Sequence, residues 1–262
     1  MAIPVIVMTQ RPNTKRNPIA RVLKFFTPKR FKDKTKYDRK SYGEIWKLSK
    51  ERISASNPGE ATLFVSELGF TNDIVFDKFG RMLVTDSQNG VIWSIDMETK
   101  GVTQFGNQLQ SRNPDIPFGA NGMAIDTDGT IYFSNTGNGV IHKIETRKED
   151  GGLMSITVWR SHEALVGIDG LAIDKAGNVW AAINGKNAIF AITKEDRRII
   201  EVAKSDNSGP LEFPSSIAFS GESIFIVNFD APVGENKNNC ETGYNTLFLK
   251  WTSPQSILIK QF

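Results

Sequence analysis

The sequence predicts an all-β protein, a β-propeller of four-stranded antiparallel blades. A segment pattern returns about every 48 residues in the 262-residue chain, and three further short apolar runs follow each copy. Short β-rich runs separated by Gly, Asp and Asn turns are typical of antiparallel hairpins. Four such strands in a repeat of this length are typical of a propeller blade. No repeat shows the i, i+3, i+4 apolar spacing of a helix.

The four strands of each repeat follow the same order along the chain. The copies of the first strand lie at 72–77, 121–126, 169–174 and 215–220, with starts 49, 48 and 46 residues apart. Second strands are predicted at 82–85, 131–134, 179–182 and 224–227, third strands at 91–95, 140–144, 188–192 and 246–251, and fourth strands at 102–105, 156–159, 199–202 and 256–262. The sequence therefore predicts four full blades.

The N-terminal part of the repeat region matches only part of a blade. Glu44–Leu48 matches a third strand, Ala61–Val65 matches a fourth, and Pro4–Met8 is a candidate second strand without a first-strand motif before it. Rings of four or five blades are physically allowed. A six-bladed ring that is N-terminally incomplete fits the broken first unit better, and the propeller domain is predicted over 43–262.

A basic segment precedes the repeats. Residues 11–40 hold 12 of the 32 Lys and Arg and carry a net charge of +10, whereas the rest of the chain carries −7. Asn17 and Pro18 are a good helix start, and Pro28 ends a short basic amphipathic helix. Residues 1–42 are therefore predicted as a partly irregular segment with one short helix. Contact with an anionic membrane surface or an organelle presequence are the functional interpretations, and a solvated insertion or a shifted gene start is the favoured alternative.

Composition excludes several classes of protein. One cysteine rules out an intrachain disulfide, and two histidines cannot by themselves build a zinc site. Apolar stretches are far shorter than the ~20 residues of a membrane-spanning helix. Ile3–Met8 lacks the basic flank of a secretory signal and is too short for one, so no secretory signal is predicted; the location is unknown, with cytoplasm and organelle both open. A small-molecule substrate, a monomer and no nucleic-acid partner complete the expectations.

Three of the repeated segments carry a family resemblance. They are Gly119-Ala-Asn-Gly-Met-Ala-Ile-Asp126, Asp169-Gly-Leu-Ala-Ile-Asp-Lys-Ala-Gly-Asn178 and Phe213-Pro-Ser-Ser-Ile-Ala-Phe219. From about Gly43 to Phe262 the chain resembles the senescence-marker-protein/gluconolactonase (regucalcin-like) family. The resemblance implies a six-bladed propeller with Ca²⁺ or another divalent cation in its central tunnel.

The resemblance also implies which residues hold that cation. The family uses one Glu, two Asn and one Asp at the starts of innermost strands, and the matching positions here are Asn72, Asn121 and Asp169. Equivalent residues of successive blades converge on the axis, and amide and carboxylate oxygens suit a hard cation. The alternative is that Asn-Asp, Asn-Gly and Asp-Gly are simply turn dipeptides that begin strands.

The Glu of the family has no match in this chain. Residues 1–42 contain no Glu, so Asp169 is the only carboxylate among the implied ligands. Cation affinity follows the charge of the ligand set, so the site is expected to bind weakly. Another acid, Asp73, Asp86 or Asp230, substitutes for the Glu, or the metal site is impaired.

Further polar residues are candidates for lining the substrate site. The second strands end in a column of polar side chains, and His162 is a candidate general base at the tunnel mouth. The predicted substrate-lining residues are Asp73, Asp86, Asn135, Ser215 and Asn228. For the column, capping of turns is the alternative interpretation.

Three functions remain open at the level of the sequence. The first is a metal-dependent hydrolase that acts on a lactone or ester in the tunnel, with Asp169 as its catalytic acid or base and with activity reduced by loss of the Glu. The second is a non-catalytic propeller that binds a ligand or a partner. The third is a metal-independent cyclisation catalyst whose tunnel only shapes the substrate. Fold similarity cannot choose among them.

Overall fold

The structure, a computed structural model, describes residues 43–48, 61–206, 209–221, 223–229, 246–253 and 256–261. These residues contain eighteen β-strands and two short 3-10 helices, Glu163–Leu165 and Asn184–Lys186. The all-β prediction is therefore confirmed. Within these ranges, neither helix has the length or apolar character that a bilayer crossing needs. The predicted Pro4–Met8 strand and the basic segment 11–40 lie outside the described residues.

The chain divides into two compact units, and the first ends at Phe70. Its described part is a hairpin in which β1 (Ile45–Leu48) pairs with antiparallel β2 (Ala61–Val65). The Leu68 N–H closes the hairpin by donating to the Gly43 carbonyl at 3.2 Å. This hairpin confirms the two strands that the sequence predicts for the partial blade.

The second unit, 71–262, holds four antiparallel sheets of four strands each, and every sheet is a meander in chain order. The first sheet contains β3 (Thr71–Phe76), β4 (Met82–Asp86), β5 (Val91–Ile95) and β6 (Val102–Gly106); the second β7 (Ala120–Ile125), β8 (Ile131–Asn135), β9 (Val140–Thr146) and β10 (Leu153–Ser161); the third β11 (Ile168–Ile173), β12 (Val179–Ile183), β13 (Ala188–Ile192) and β14 (Ile199–Lys204); the fourth β15 (Pro214–Ser220), β16 (Ser223–Asn228), β17 (Thr246–Ser253) and β18 (Ser256–Gln261). They correspond to the predicted blades.

Core packing between the sheets follows the two-residue period of a strand. On β8, Tyr132 joins a cluster shared with the third sheet, whereas its neighbours Ile131 and Phe133 join a cluster shared with the first sheet. On β12, Ala181 packs towards the second sheet and Trp180 towards the fourth. Both faces of a middle strand are thus buried, which explains why these strands are apolar runs without polar alternation.

The first strand of each sheet is also the innermost, and neighbouring first strands touch. Contacts run from β3 to β7, from β7 to β11 and from β11 to β15. Glycine makes two of these approaches feasible. A Cβ on Gly122 would lie 2.4 Å from the Asp169 carbonyl oxygen, and one on Gly170 would lie 2.5 Å from that of Ser215. These contacts hold the starts of the inner strands close together.

Candidate functional site

The predicted ligand positions share one register in the second unit. Asn72, Asn121, Asp169 and Ser215 are each the second residue of an innermost strand. The residue before each of them pairs with the last residue of the second strand, as in Ala120 with Asn135, and a register shift follows. The repeat therefore brings the four positions to the same end of adjacent inner strands.

Asp169 lies at the centre of this end. Its Oδ2 accepts a hydrogen bond from Asn184 Nδ2 at 3.1 Å, and Asn121 supplies a second side-chain hydrogen bond. The pKa of Asp169 is raised to about 7, mainly by burial and also by the nearby Asp73 carboxylate, while the hydrogen bonds from the Asn184 and Asn121 amides oppose the shift. The residue nevertheless keeps an intermediate exposure to solvent.

Asp73 occupies the position that glycine holds in the second and third sheets. Its Oδ2 accepts a hydrogen bond from the Met123 backbone N–H at 2.7 Å, so the carboxylate bridges β3 and β7. Its Oδ1 accepts from the Ile74 N–H at 2.7 Å. Burial raises the pKa of Asp73, and these two backbone bonds act in the opposite direction. Asp73 is thus the described acid that lies close enough to Asp169 to interact with it electrostatically.

Asn121 carries an unusual buried oxygen. The side chain is only 5% exposed, and its Nδ2 donates to Thr136 Oγ1 at 2.8 Å. Its Oδ1 has no hydrogen-bond partner among the described residues. An unpaired buried carbonyl oxygen costs free energy, so this atom is a candidate position for a bound group, a water included. A cation or a substrate hydroxyl would satisfy it.

The donor set at this end fits a hard cation. Asn121 offers the unpaired oxygen, Asp169 offers a carboxylate, and Asp73 adds a second negative charge nearby. Such oxygen ligands are those that Ca²⁺ prefers. Across the part of the chain that the structure describes, no group of three or more His, Cys, Asp or Glu side chains could hold a metal. The amide oxygens are therefore essential to the fit.

The other predicted positions contribute differently. Ser215 Oγ donates to the Val227 carbonyl of its own sheet at 3.1 Å, and Asn72 is half-buried at the start of β3. Asp86, Asn135 and Asn228 are fully buried and serve the loops next to them. Asp86 Oδ1 accepts the Asn89 N–H at 3.0 Å. Asn135 Nδ2 donates to the Leu109 carbonyl, and Asn228 Nδ2 donates to the Pro210 carbonyl, both at 2.9 Å.

Two further residues at this end are His162, a candidate general base from the sequence, and Asn184, which the sequence analysis did not single out. His162 Nδ1 accepts the Ala164 N–H at 3.0 Å as the cap of a 3-10 helix, so this nitrogen is engaged in a local hydrogen bond. Asn184, which bonds Asp169, was not among the predicted residues. Its signal is an Asn-Gly turn one residue beyond the end of β12, outside the column of strand ends. Asp230 and Cys240 lie outside the described residues.

A sequence model of the SMP-30/Gluconolactonase/LRE-like region matches residues 71–226. No curated protein sequence matches the chain significantly. Solved structures with the same fold include a luciferin-regenerating enzyme, with a TM-score of 0.56 and 16% identity over 84% of this chain and 73% of that one.

Two further structures are similar at the same level. Virginiamycin B lyase from Staphylococcus aureus has a TM-score of 0.54 and 17% identity over 84% of this chain and 63% of its own. A calcium-binding regucalcin from Agrobacterium tumefaciens has a TM-score of 0.51 and 17% identity over 64% of this chain and 58% of its own. The chain thus spans less than two thirds of either protein, and at these identities the likeness shows the propeller fold alone.

Proposed function

Because the chain belongs to the SMP-30/gluconolactonase/LRE-like family, we propose that it is a metal-dependent hydrolase that opens a lactone or an ester at the starts of its inner strands. The proposal rests above all on one observation. The buried Asn121 Oδ1 has no hydrogen-bond partner in the described part of the chain and lies at the same strand end as the Asp169 carboxylate. A divalent cation supplies the charge and the coordination that these two oxygens lack.

Asn72, Asn121 and Asp169 are the residues that would hold the cation. When bound, the cation polarises the carbonyl of the lactone or ester. Asn184 orients the Asp169 carboxylate through its hydrogen bond to Oδ2, and Thr136 orients the Asn121 amide. Asp169 then positions the attacking water and accepts its proton, while the ring or ester C–O bond breaks and the leaving oxygen takes up a proton.

Asp73 is the acid that best replaces the Glu of the family. Both Asp73 and Asp86 accept local hydrogen bonds, but only the Asp73 carboxylate is close enough to Asp169 to raise the pKa of that residue. A second carboxylate near the cation offsets part of the missing charge, because affinity increases with the number of charged ligands. Activity weaker than that of a site with the full ligand set is the expectation.

Calorimetric titration of the full chain with Ca²⁺, followed by a screen of lactones and aryl esters, tests the proposal. We expect binding tighter than about 1 mM, with a loss of at least about tenfold in Asp169→Asn, because the variant removes a charged ligand. Asp150→Asn is the matched control, since that aspartate is 59% exposed in the turn between β9 and β10. No binding below millimolar concentration, or equal binding by both variants, contradicts the proposal.

The screen separates the hydrolase from the other two functions. Lactone or ester turnover that requires the divalent cation and falls in Asp169→Asn supports the hydrolase. Turnover that persists in EDTA supports a metal-independent catalyst. Binding without any turnover supports a propeller that only binds a ligand or partner.

A further inference from the structure

Two phenylalanines stand side by side next to the site, and one of them is held in a strained conformation. Phe213 and Phe229 directly flank the Pro214–Asn228 pair that begins the fourth sheet. Their ring centroids are 6.1 Å apart at an angle of 49°. Phe213 has φ of 53°, a left-handed conformation that is uncommon for a bulky side chain.

Neighbouring groups hold this conformation in place. The Phe213 N–H donates to Oδ1 of Asn187 at 2.8 Å, and Asn187 is fully buried in the turn of the third sheet. The Phe213 carbonyl accepts the Phe229 N–H at 2.9 Å. Two hydrogen bonds from different sheets therefore fix a backbone geometry that is unfavourable by itself. Backbone strain of this kind clusters at active sites, ligand clamps and switch regions.

The Phe213–Phe229 pair adds only part of its apolar surface to the hydrophobic core. Phe229 is 48% exposed and Phe213 is half-buried, so much of the apolar surface of the pair faces outwards. Phe118, which is 41% exposed, lies just before β7 and only three residues before Asn121. An exposed pair of large aromatic rings beside polar strand ends is a candidate surface for an apolar group.

The pair lies at the same end of the inner strands as Asp169. The Cβ position of Gly170 is 2.5 Å from the Ser215 carbonyl oxygen, so the residues after Asp169 and after Pro214 are in contact. Phe213 is two residues before Ser215. With a rise of about 3.3 Å per residue, it lies within roughly 10 Å of the Asp169 end of β11. One substrate molecule of ordinary size can span that distance.

We propose that Phe213 and Phe229 form an aromatic subsite that receives the aryl group of an aryl ester or aryl-substituted lactone whose carbonyl lies at Asp169. Aromatic rings in an offset or tilted pair present both faces and edges to a third ring. The exposed rings add apolar area next to polar groups, which is the usual composition of a small-molecule site. This inference rests on the proposed hydrolase function and names its substrate class.

The test compares phenyl acetate with γ-butyrolactone in wild type, Phe229→Ala and Phe229→Leu. We expect Phe229→Ala to raise KM for phenyl acetate about fivefold to tenfold with kcat nearly unchanged, because it removes apolar contact made equally in the ground and transition states. KM for γ-butyrolactone, which carries no aryl group, should stay within about twofold. Phe229→Leu should restore part of the loss.

Phe79→Ala is the matched control, because Phe79 is 37% exposed in the turn at the opposite end of β3. It should leave KM for both substrates unchanged. Equal changes for the two substrates in Phe229→Ala, or no change for either, overturn the aromatic subsite while the hydrolase stands.

Calorimetric binding of acetanilide, an unreactive amide analogue of phenyl acetate, separates the two proposals. If wild type hydrolyses neither substrate but binds acetanilide, and Phe229→Ala weakens that binding, the hydrolase fails and the aromatic subsite stands. If wild type binds no acetanilide and shows no preference for the aryl ester, the aromatic subsite is wrong.

Discussion

The innermost strands carry aspartates at both ends, and the two sets differ in how their oxygens are bonded. The near end is the start of these strands, with Asp73 and Asp169, and the far end is where they finish, followed by Asp77, Asp126 and Asp174. At the far end, Asp174 accepts bonds from Ala176 N, Asn178 N and Nδ2, and Trp180 Nε1, all between 2.9 and 3.0 Å. At the near end, Asp169 receives only side-chain amides, and Asn121 keeps an oxygen without a partner among the described residues.

Within a single repeat, the far-end aspartates stabilise the turns, whereas the near end holds the residues of the proposed cation site. The far-end aspartates close hairpin turns, and Asp77 does so with Arg81, whose Nε donates at 2.8 Å. Both oxygens of such a carboxylate are used by the fold itself. At the near end, Asp73 is likewise bonded by two backbone N–H groups, whereas Asp169 receives only side-chain amides and Asn121 Oδ1 has no partner among the described residues. A ligand that binds such oxygens in the folded state stabilises the protein. Substitutions at the two ends should therefore have opposite effects.

The largest effect is expected at the far end. Asp174→Asn replaces an acceptor oxygen by an amino group that faces the donors Asn178 Nδ2 and Trp180 Nε1. We expect a loss of about 2–3 kcal/mol in the free energy of unfolding, because buried donors lose a charged acceptor. Urea denaturation in EDTA measures it. A loss below about 0.5 kcal/mol would show that the far-end carboxylates are not structural.

Asp169→Asn should have the opposite sign in the cation-free protein. Folding raises the pKa of Asp169 to about 7, so its ionised form opposes folding. The stability that the protonated form retains below about pH 4 is lost as the pH rises towards 7 and stays lost above it. At pH 8 in EDTA we expect Asp169→Asn to be more stable by about 1–2 kcal/mol, a value discounted because the residue is partly exposed.

The pH dependence provides the control for that gain. At pH 4 the advantage of Asp169→Asn should disappear, and Asp150→Asn should show no comparable gain at pH 8. Denaturation curves at the two pH values give both comparisons. A variant that is less stable than wild type at pH 8 would mean that the Asp169 carboxylate belongs to the fold, as the far-end carboxylates do.

The smallest effect concerns an ion pair at the far end. Lys194 Nζ lies 2.8 Å from Asp126 Oδ2 and links the third sheet to the second, but the lysine side chain is 44% exposed. We expect Lys194→Met to lower the thermal unfolding midpoint only slightly at low salt, and less in 1 M NaCl, because water and salt screen exposed charges. Thermal unfolding at the two salt concentrations measures the difference. A larger, salt-independent loss would assign Lys194 to the structural set.

The sequence predicts the fold and the positions of the site because both follow from periodicity. The repeat spacing of 46 to 49 residues locates every inner strand, and the second residue of each strand is then equivalent. The closeness of Asn121 and Asp169 follows from that equivalence. Periodicity is enough to predict these positions because a strand shifted by one residue would turn its buried side chains outwards, so the apolar pattern fixes the register.

The periodicity of the sequence does not predict which hydrogen bonds each side chain makes. Asp86, Asn135 and Asn228 form a column of strand ends, and each makes a hydrogen bond to a local loop that residue spacing does not predict. A register shift after the first pair of each inner strand changes the direction of the following side chains, and residue spacing does not encode it. Asn184 was missed because it lies one residue beyond the strand ends, in a turn of the same length as those of the first and second sheets.

The most direct test of the account is a crystal structure of the protein soaked in Mn²⁺, with anomalous scattering used to locate the ion. We expect one strong anomalous peak for Mn²⁺ within about 2.0–2.6 Å of both Asn121 Oδ1 and an Asp169 carboxylate oxygen, since carboxylate and carbonyl oxygens suit this cation. The peak should be lost in Asp169→Asn and kept in Asp174→Asn. A peak at Asp174, or none near Asn121, would contradict the assignment of the two strand ends.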